Sequence, residues 1–206
     1  MAGEILIVGA GIGGLTTALS LHDAGHQVRV FETVDAIRPL GVGINLLPHA
    51  VREMDELGVR PALEKVGIAT AELSYHTTRG ERIWSEPRGL EAGYRWPQIS
   101  LHRGVLQMTL FDAVLERIGA DRVHLAHHLD GYDADDHGVT ARFVDRRTGA
   151  HAGTHRGLAL VAADGIHSAV RALLYPDEGG PKWNGAVMWR GVVPGPPFHR
   201  SSTVAP

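Results

Sequence analysis

The sequence predicts an α/β fold: a parallel sheet flanked by helices, with an antiparallel β-meander attached. Three observations predict it. The apolar run Ile5-Leu6-Ile7-Val8 leads directly into Gly9-Ala10-Gly11-Ile12-Gly13-Gly14. A second apolar run, Leu158–Ala163, leads into Asp164-Gly165. Between them, stretches with helical spacing alternate with stretches of strand-like alternation. Short, continuous apolar runs bounded by glycine suit strands covered on both faces, the kind parallel sheets use.

Residues 4–8 read as the first strand. Residues 12–24 read as a helix, with Leu15, Ala18, Leu19 and Leu21 recurring on one side and Gly25 as its stop. Val28–Glu32 is the second strand, which completes a βαβ unit of the usual size. Helices follow at 48–58, opened by Pro48 and closed by Gly58, and at 60–65. From 70 to 99 the pattern changes to strands, Glu72–Thr77 and Glu81–Ser85 around an Arg79-Gly80 turn, and then a Pro/Gly/Trp-rich loop at 86–97. Leu106, Leu110, Val114 and Ile118 recur every fourth residue, which predicts a helix over 103–118. Val123–Leu129 reads as one strand. Residues 130–156 read as a meander, with strands at 139–144 and 151–155. Residues 158–163 read as a buried strand and Val187–Val193 as a last one. The tail from Pro194 reads as irregular.

Composition narrows the function classes. The chain has 206 residues, 44% of them hydrophobic, enough for a real core, and 26 glycines, which suit a nucleotide-binding protein with tight turns. A net charge of -3 offers no electrostatic case for nucleic acid or an anionic membrane. Without cysteine there is no disulfide, thiolate nucleophile or Cys-ligated metal. The 13 histidines are scattered and give no metal-ligand set, so no metal is expected. No apolar run reaches 18 residues and the N-terminus lacks a basic leader, so a cytoplasmic location is expected.

The first glycine motif carries the chemistry. Gly9 permits the strand-to-helix turn. Gly11 lets the backbone approach a pyrophosphate with no Cβ in the way. Gly14 allows close helix-on-strand packing, and Gly13 lies in the phosphate-facing first turn. The phosphates would meet free N–H groups at the positive end of a helix dipole. Glu32 closes the second strand, where a carboxylate accepts hydrogen bonds from a ribose diol and repels a 2′-phosphate. This motif alone leaves NAD and FAD both open.

The second motif, Asp164-Gly165-Ile166-His167-Ser168-Ala169-Val170-Arg171, resembles the Asp-Gly fingerprint of the class A flavoprotein monooxygenases, the p-hydroxybenzoate hydroxylase superfamily. Arg38 through Asn45, Ser100 through Leu106 and Trp189-Arg190-Gly191 strengthen the resemblance, which runs from about residue 4 to residue 193. The phenazine- and salicylate-hydroxylating members are most similar.

The resemblance implies a Rossmann-like FAD-binding domain over 1–180, with a β insertion at about 70–99, and the beginning of a substrate-domain sheet over 181–206. It implies that Arg38, Gly43 and Arg103 reach the flavin, although each arginine by itself reads as solvated or ion-paired. It places Asp164 and Gly165 near the flavin pyrophosphate and ribose, where the pyridine nucleotide also approaches. Trp189 and Arg190 become substrate-contact candidates that could equally be structural. In that family NADH or NADPH reduces FAD, and one atom of oxygen passes to an activated aromatic ring, with no side-chain nucleophile.

Family members are about twice as long and return to the FAD domain with a second Gly-Asp motif that is absent here. The expectation is therefore an N-terminal half with exposed apolar surface, completed by self-association into a homo-oligomer or by a partner chain. The alternative is a binding or scaffold protein, or a non-redox cyclase or isomerase, without oxygenase activity.

Overall fold

The computed structural model describes residues 3–193 and 203–204. Its elements, in chain order, are β1 (Ile5–Val8), α1 (Ile12–Asp23), β2 (Val28–Phe31), β3 (Gly43–Leu46), α2 (Pro48–Glu56), α3 (Arg60–Val66), β4 (Ile68–Thr70), β5 (Glu72–His76), β6 (Arg82–Pro87), β7 (Gln98–His102), α4 (Arg103–Arg117), β8 (Val123–His124), β9 (His128–Asp135), β10 (Gly138–Val144), β11 (His151–Gly157), β12 (Ala159–Ala162), α5 (Ala169–Leu174) and β13 (Thr203–Val204). They divide into two compact units, residues 1–38 with 110–187 and residues 39–109 with 188–206.

The first unit is the expected parallel sheet, in the order β12-β1-β2-β8. β1 is paired on both sides, and its Leu6 and Ile7 are fully buried. The helix α1 buries Gly14, Leu15, Ala18 and Leu19, whereas Leu21, read as part of the same stripe, is only half-buried, and Gly25 follows in the left-handed region at φ 87°. The meander β9-β10-β11 packs on this sheet through Leu6, Val8, Phe31, Leu129, Val139 and Phe143. Phe31 and Phe143 stack with centroids 4.1 Å apart. Loss of a fully buried aromatic ring costs about 3–5 kcal/mol.

Four expectations need correction. Val123–Leu129 is not one strand: β8 pairs with β2, Ala126 turns the chain at φ 56°, and β9 begins at His128 in the meander. Two sheets each claim part of that run. The strand at 158–163 is not buried. Leu158 is 56% exposed, because β12 sits at the sheet's edge and pairs only with β1 among the described residues. Val187–Val193 forms no strand, since no neighbour supplies hydrogen bonds and its side chains stand exposed. The tail from Pro194 lies outside the described residues, except that Thr203-Val204 pair in parallel with β5 rather than being irregular.

In the second unit, β7 is paired on both sides by β3 and β4, all antiparallel. β5 and β6 form a hairpin whose turn uses Gly80 at φ 85°. α2 starts with Pro48 at its first turn, as expected, and buries Val51 and Met54. The stretch read as a loop at 86–97 holds the end of β6 and a single 3-10 turn at Gly89–Ala92.

Histidines unused by any motif gather in the first unit. His124 stacks on Phe31 at 5.1 Å, and His127 and His155 lie 5.2 and 5.3 Å from its ring. Arg29 reaches His155 Nδ1 at 3.0 Å and pairs with Glu4, which Arg122 also holds. His124 Nε2 is buried without a partner. Burial, first, and then the neighbouring His127, His155 and Arg29 push the His124 pKa below its ordinary value; burial, then Arg29 and His127, do the same for His155. Among the described residues no cluster could hold a metal ion, and this stacked arrangement is a packing feature.

A group whose folded pKa is depressed binds more protons unfolded, so stability is complete above the unfolded value near 6.5 and is lost as pH falls through the folded values. Thermal melts should therefore show a lower midpoint at pH 5 than at pH 7.5, and His124→Phe should flatten that dependence. An equally steep pH profile in the variant would remove the cluster as its cause.

Candidate functional site

Both motifs leave the sheet at the carboxyl ends of adjacent parallel strands, with Val8 in register with Ala162. The chain leaves β1 towards β2 on one side, while β12 lies on the other. A ligand crevice is expected at such a switch point.

The glycines divide by task. A Cβ on Gly14 would lie 1.8 Å from the Gly9 carbonyl oxygen, and one on Gly9 would lie 2.4 Å from the Ala163 carbonyl oxygen. Gly9 also needs φ 103°. These two let strand, helix and second motif touch. Gly11 and Gly13 meet nothing within 4 Å, so their missing side chains leave open space rather than permit protein packing. α1 begins there with no side-chain cap and no acidic residue in its first turn. First-turn N–H groups have no intrahelical partner, so the cradle has donors and room for an anion.

Glu32 stands beside it. Its Oε2 accepts from Ala10 N–H at 2.8 Å and its Oε1 from Val34 N–H at 3.0 Å. Each oxygen keeps a lone pair for a ligand hydroxyl. The carboxylate is thus held in place before any ligand arrives. Glycine cradle, uncapped helix and oriented carboxylate fit the adenosine diphosphate half of a dinucleotide.

Asp164 works within the chain as well: its Oδ2 accepts from Ala169 N–H at 2.7 Å and Val170 N–H at 3.2 Å. Ser168 caps the same short helix by accepting from Arg171 N–H at 2.9 Å. Gly165, at φ 78°, opens onto a cleft of about 730 Å³ lined by Ile166, His167 and Arg171. Arg171 is ion-paired with Glu178, which holds its pKa above the ordinary arginine value.

Arg38, in the first unit, is exposed and makes no hydrogen bond or ion pair among the described residues. The second unit gathers Gly43, Arg103 and Arg190 around an open cleft of about 550 Å³. Gly41, at φ 120°, lies under Arg103: a Cβ there would lie 2.8 Å from its Nε. Arg190 donates to the Gly43 carbonyl at 3.3 Å, while its neighbour Trp189 stands 95% exposed. Gly41 lies within the Arg38–Asn45 stretch that carried the resemblance, although only Gly43 of its glycines was singled out there.

A family model for an FAD binding domain matches residues 3–198. The chain belongs to the FAD-binding domain family. Among relatives of this FAD-binding chain, phenazine 1,6-dicarboxylic acid hydroxylase PhzS of Lysobacter antibioticus is 46% identical over 191 residues, 92% of this chain and 47% of that protein. The aurachin C monooxygenase/isomerase of Stigmatella aurantiaca is 35% identical, over 91% of this chain and 46% of that protein. The FAD-binding chain spans about half the length of the curated relatives it matches. Among solved structures, Klebsiella pneumoniae HpxO complexed with FAD and uric acid superposes with a TM-score of 0.68 at 29% identity, over 82% of this chain and 41% of that one. The 2,6-dihydroxypyridine-3-hydroxylase of Arthrobacter nicotinovorans gives 0.67 at 29%, over 90% and 42%. The resemblance to FAD-dependent aromatic hydroxylases read from the motifs, and the α/β fold it implied, are borne out.

The division among the glycines is testable. Gly14→Ala should cost several kcal/mol or prevent folding, since its new atom meets backbone. Gly13→Ala should instead stabilise by about 0.5–1 kcal/mol, as alanine replaces a helical glycine in open space. Urea denaturation of both variants reads the difference, and equal effects would remove the distinction.

Proposed function

We propose that this chain holds FAD as part of an FAD-dependent monooxygenase that uses NADH or NADPH and oxygen on an aromatic small molecule of natural-product metabolism, in the cytoplasm. The observation that carries the reading is the open cradle at Gly11 and Gly13, set against an uncapped helix start and the pre-oriented Glu32. Family membership and FAD-bound neighbours support it. Bound FAD supplies electron transfer from the nicotinamide donor and oxygen activation.

The chain's residues bind and orient. Gly9, Gly11, Gly13 and Gly14 shape the pyrophosphate cradle, and Glu32 holds the adenosine ribose. Asp164 and Gly165 border the pyrophosphate and the approach of the nicotinamide donor, with the cleft beside His167 as its entry. Arg38, Gly43 and Arg103 take the flavin side. Trp189 and Arg190 belong to the substrate side, at the start of a second domain from about residue 181. The exposed edge of β12, together with Leu158 and the exposed Leu174 and Tyr175 after the second motif, is covered by the rest of the protein, a partner chain or a second copy.

Titration of the purified chain with FAD, followed by absorbance and flavin fluorescence, tests this. Saturable binding is expected, with bleaching on NADH or NADPH once the whole protein is present. Glu32 also holds the Ala10 N–H, so Glu32→Gln is a milder test than alanine. It should weaken FAD about 10- to 150-fold, the loss expected for a charge-assisted hydrogen-bond pair of about 1.5–3 kcal/mol. Gly11→Val should abolish binding with no loss of fold. Unchanged affinity in both variants would overturn the site, and a chain that never takes up FAD would favour a non-redox binding role.

A further inference from the structure

The stretch between α5 and Trp189 includes Trp183-Asn184-Gly185-Ala186, which has no part in the site described above. It is an exposed bend outside any helix or strand. The chain has two asparagines, and only Asn184 is followed by glycine. That order carries its own chemistry. The backbone nitrogen after an asparagine can attack the side-chain carbonyl carbon, and a glycine puts no side chain in the way.

The bend is arranged for that attack. Ala186 N–H donates to Asn184 Oδ1 at 3.0 Å. The bond folds the side chain back onto the backbone that follows it. It also sets a donor on the oxygen that becomes negative when Gly185 N adds to Cγ, as an oxyanion hole does for its substrate. Trp183 anchors the same residue from the other side, since its Nε1 donates to the Ala186 carbonyl at 3.0 Å. Gly185 stands in the left-handed region at φ 88°, with open space where a Cβ would be. Asn45 lacks this arrangement. It lies in β3 opposite Ser100, whose Oγ donates to its Oδ1 at 2.7 Å. Its successor Leu46 is buried and held extended in the ladder.

We propose that Asn184 is a site of self-modification. Gly185 N forms a bond to Asn184 Cγ, and its proton passes through solvent to Nδ2. The Cγ–Nδ2 bond then breaks and Nδ2 leaves as ammonia. The five-membered imide takes up one water. Opening at Cγ gives aspartate; opening at the main-chain carbonyl carbon gives isoaspartate, whose backbone runs through the former side chain. Nothing is oxidised or reduced, and water is the only co-reactant. Either product adds one negative charge to the net -3 of the fresh chain. Isoaspartate also lengthens the path to Trp189 and Arg190 by one carbon. The inference does not depend on the FAD reading.

The purified chain is incubated for weeks at body temperature in neutral buffer and then digested with trypsin. The peptide 183–190 should gain the mass of an amide-to-acid exchange and separate into two forms, one of which an isoaspartyl methyltransferase labels. The peptide 30–52, which holds Asn45, should stay as it is. Conversion should be severalfold faster in the native chain than in the same chain unfolded in urea, and Trp183→Phe should remove most of that difference. Gly185→Ala should slow it at least about tenfold, because a methyl group shields the attacking nitrogen and resists φ 88°. Asn184→Gln, whose ring would need one more atom, should leave 183–190 unconverted. No mass gain at 183–190, an equal gain at 30–52, or a native rate no faster than the unfolded one would each overturn the proposal.

Discussion

The structure of the first unit depends on one contact between backbones: α1 lies so close to the end of β1 that the Gly9 carbonyl occupies the place of a side chain at position 14. With any larger residue there, the helix would have to lift from the strand. Its first-turn donors would then leave the crevice, and Ala10 N–H would leave Glu32. The same closeness continues sideways, since Gly9 also abuts the carbonyl of Ala163. Two motifs far apart in sequence become one surface because neither has side chains where they meet. The open glycines are a consequence: the packing glycines bring the backbone close, and Gly11 and Gly13 keep it bare.

The polar groups of the candidate site already serve the fold itself. Glu32 and Asp164 each hold backbone N–H groups within the chain, one at the glycine loop and one at α5. An anion that is already hydrogen-bonded needs no reorganisation when the ligand arrives, so preorganisation adds to affinity. The cost is ambiguity for mutagenesis, since replacing either acid disturbs both fold and binding. Gly11 is the cleaner probe because it touches nothing but the crevice.

Most of this was legible in the sequence where local chemistry decides the structure. The βαβ unit, the Pro48 and Gly58 boundaries and the Arg79-Gly80 turn all rest on residues within a few positions of one another. The failures share a cause. Val123–Leu129 alternates well enough to be one strand, and only the competition of two sheets breaks it at Ala126. The run at 158–163 is apolar enough to be interior, yet burial depends on neighbours the run itself cannot specify. Val187–Val193 has strand composition without a strand beside it. The histidine cluster carried no motif at all, and it arises only from what the fold brings together in space.

The pairing of β1 with β12 joins two strands that lie about 150 residues apart in the chain. During synthesis β1 can find α1 and β2 at once, but its other edge must wait for about 150 further residues, on the order of 10 s at ordinary elongation rates. Through that interval a bare, apolar strand edge is displayed, and it can add to any other extended chain. Slowing translation within the first 150 codons lengthens the exposure, whereas a pause after Ala162 gives the sheet time to close.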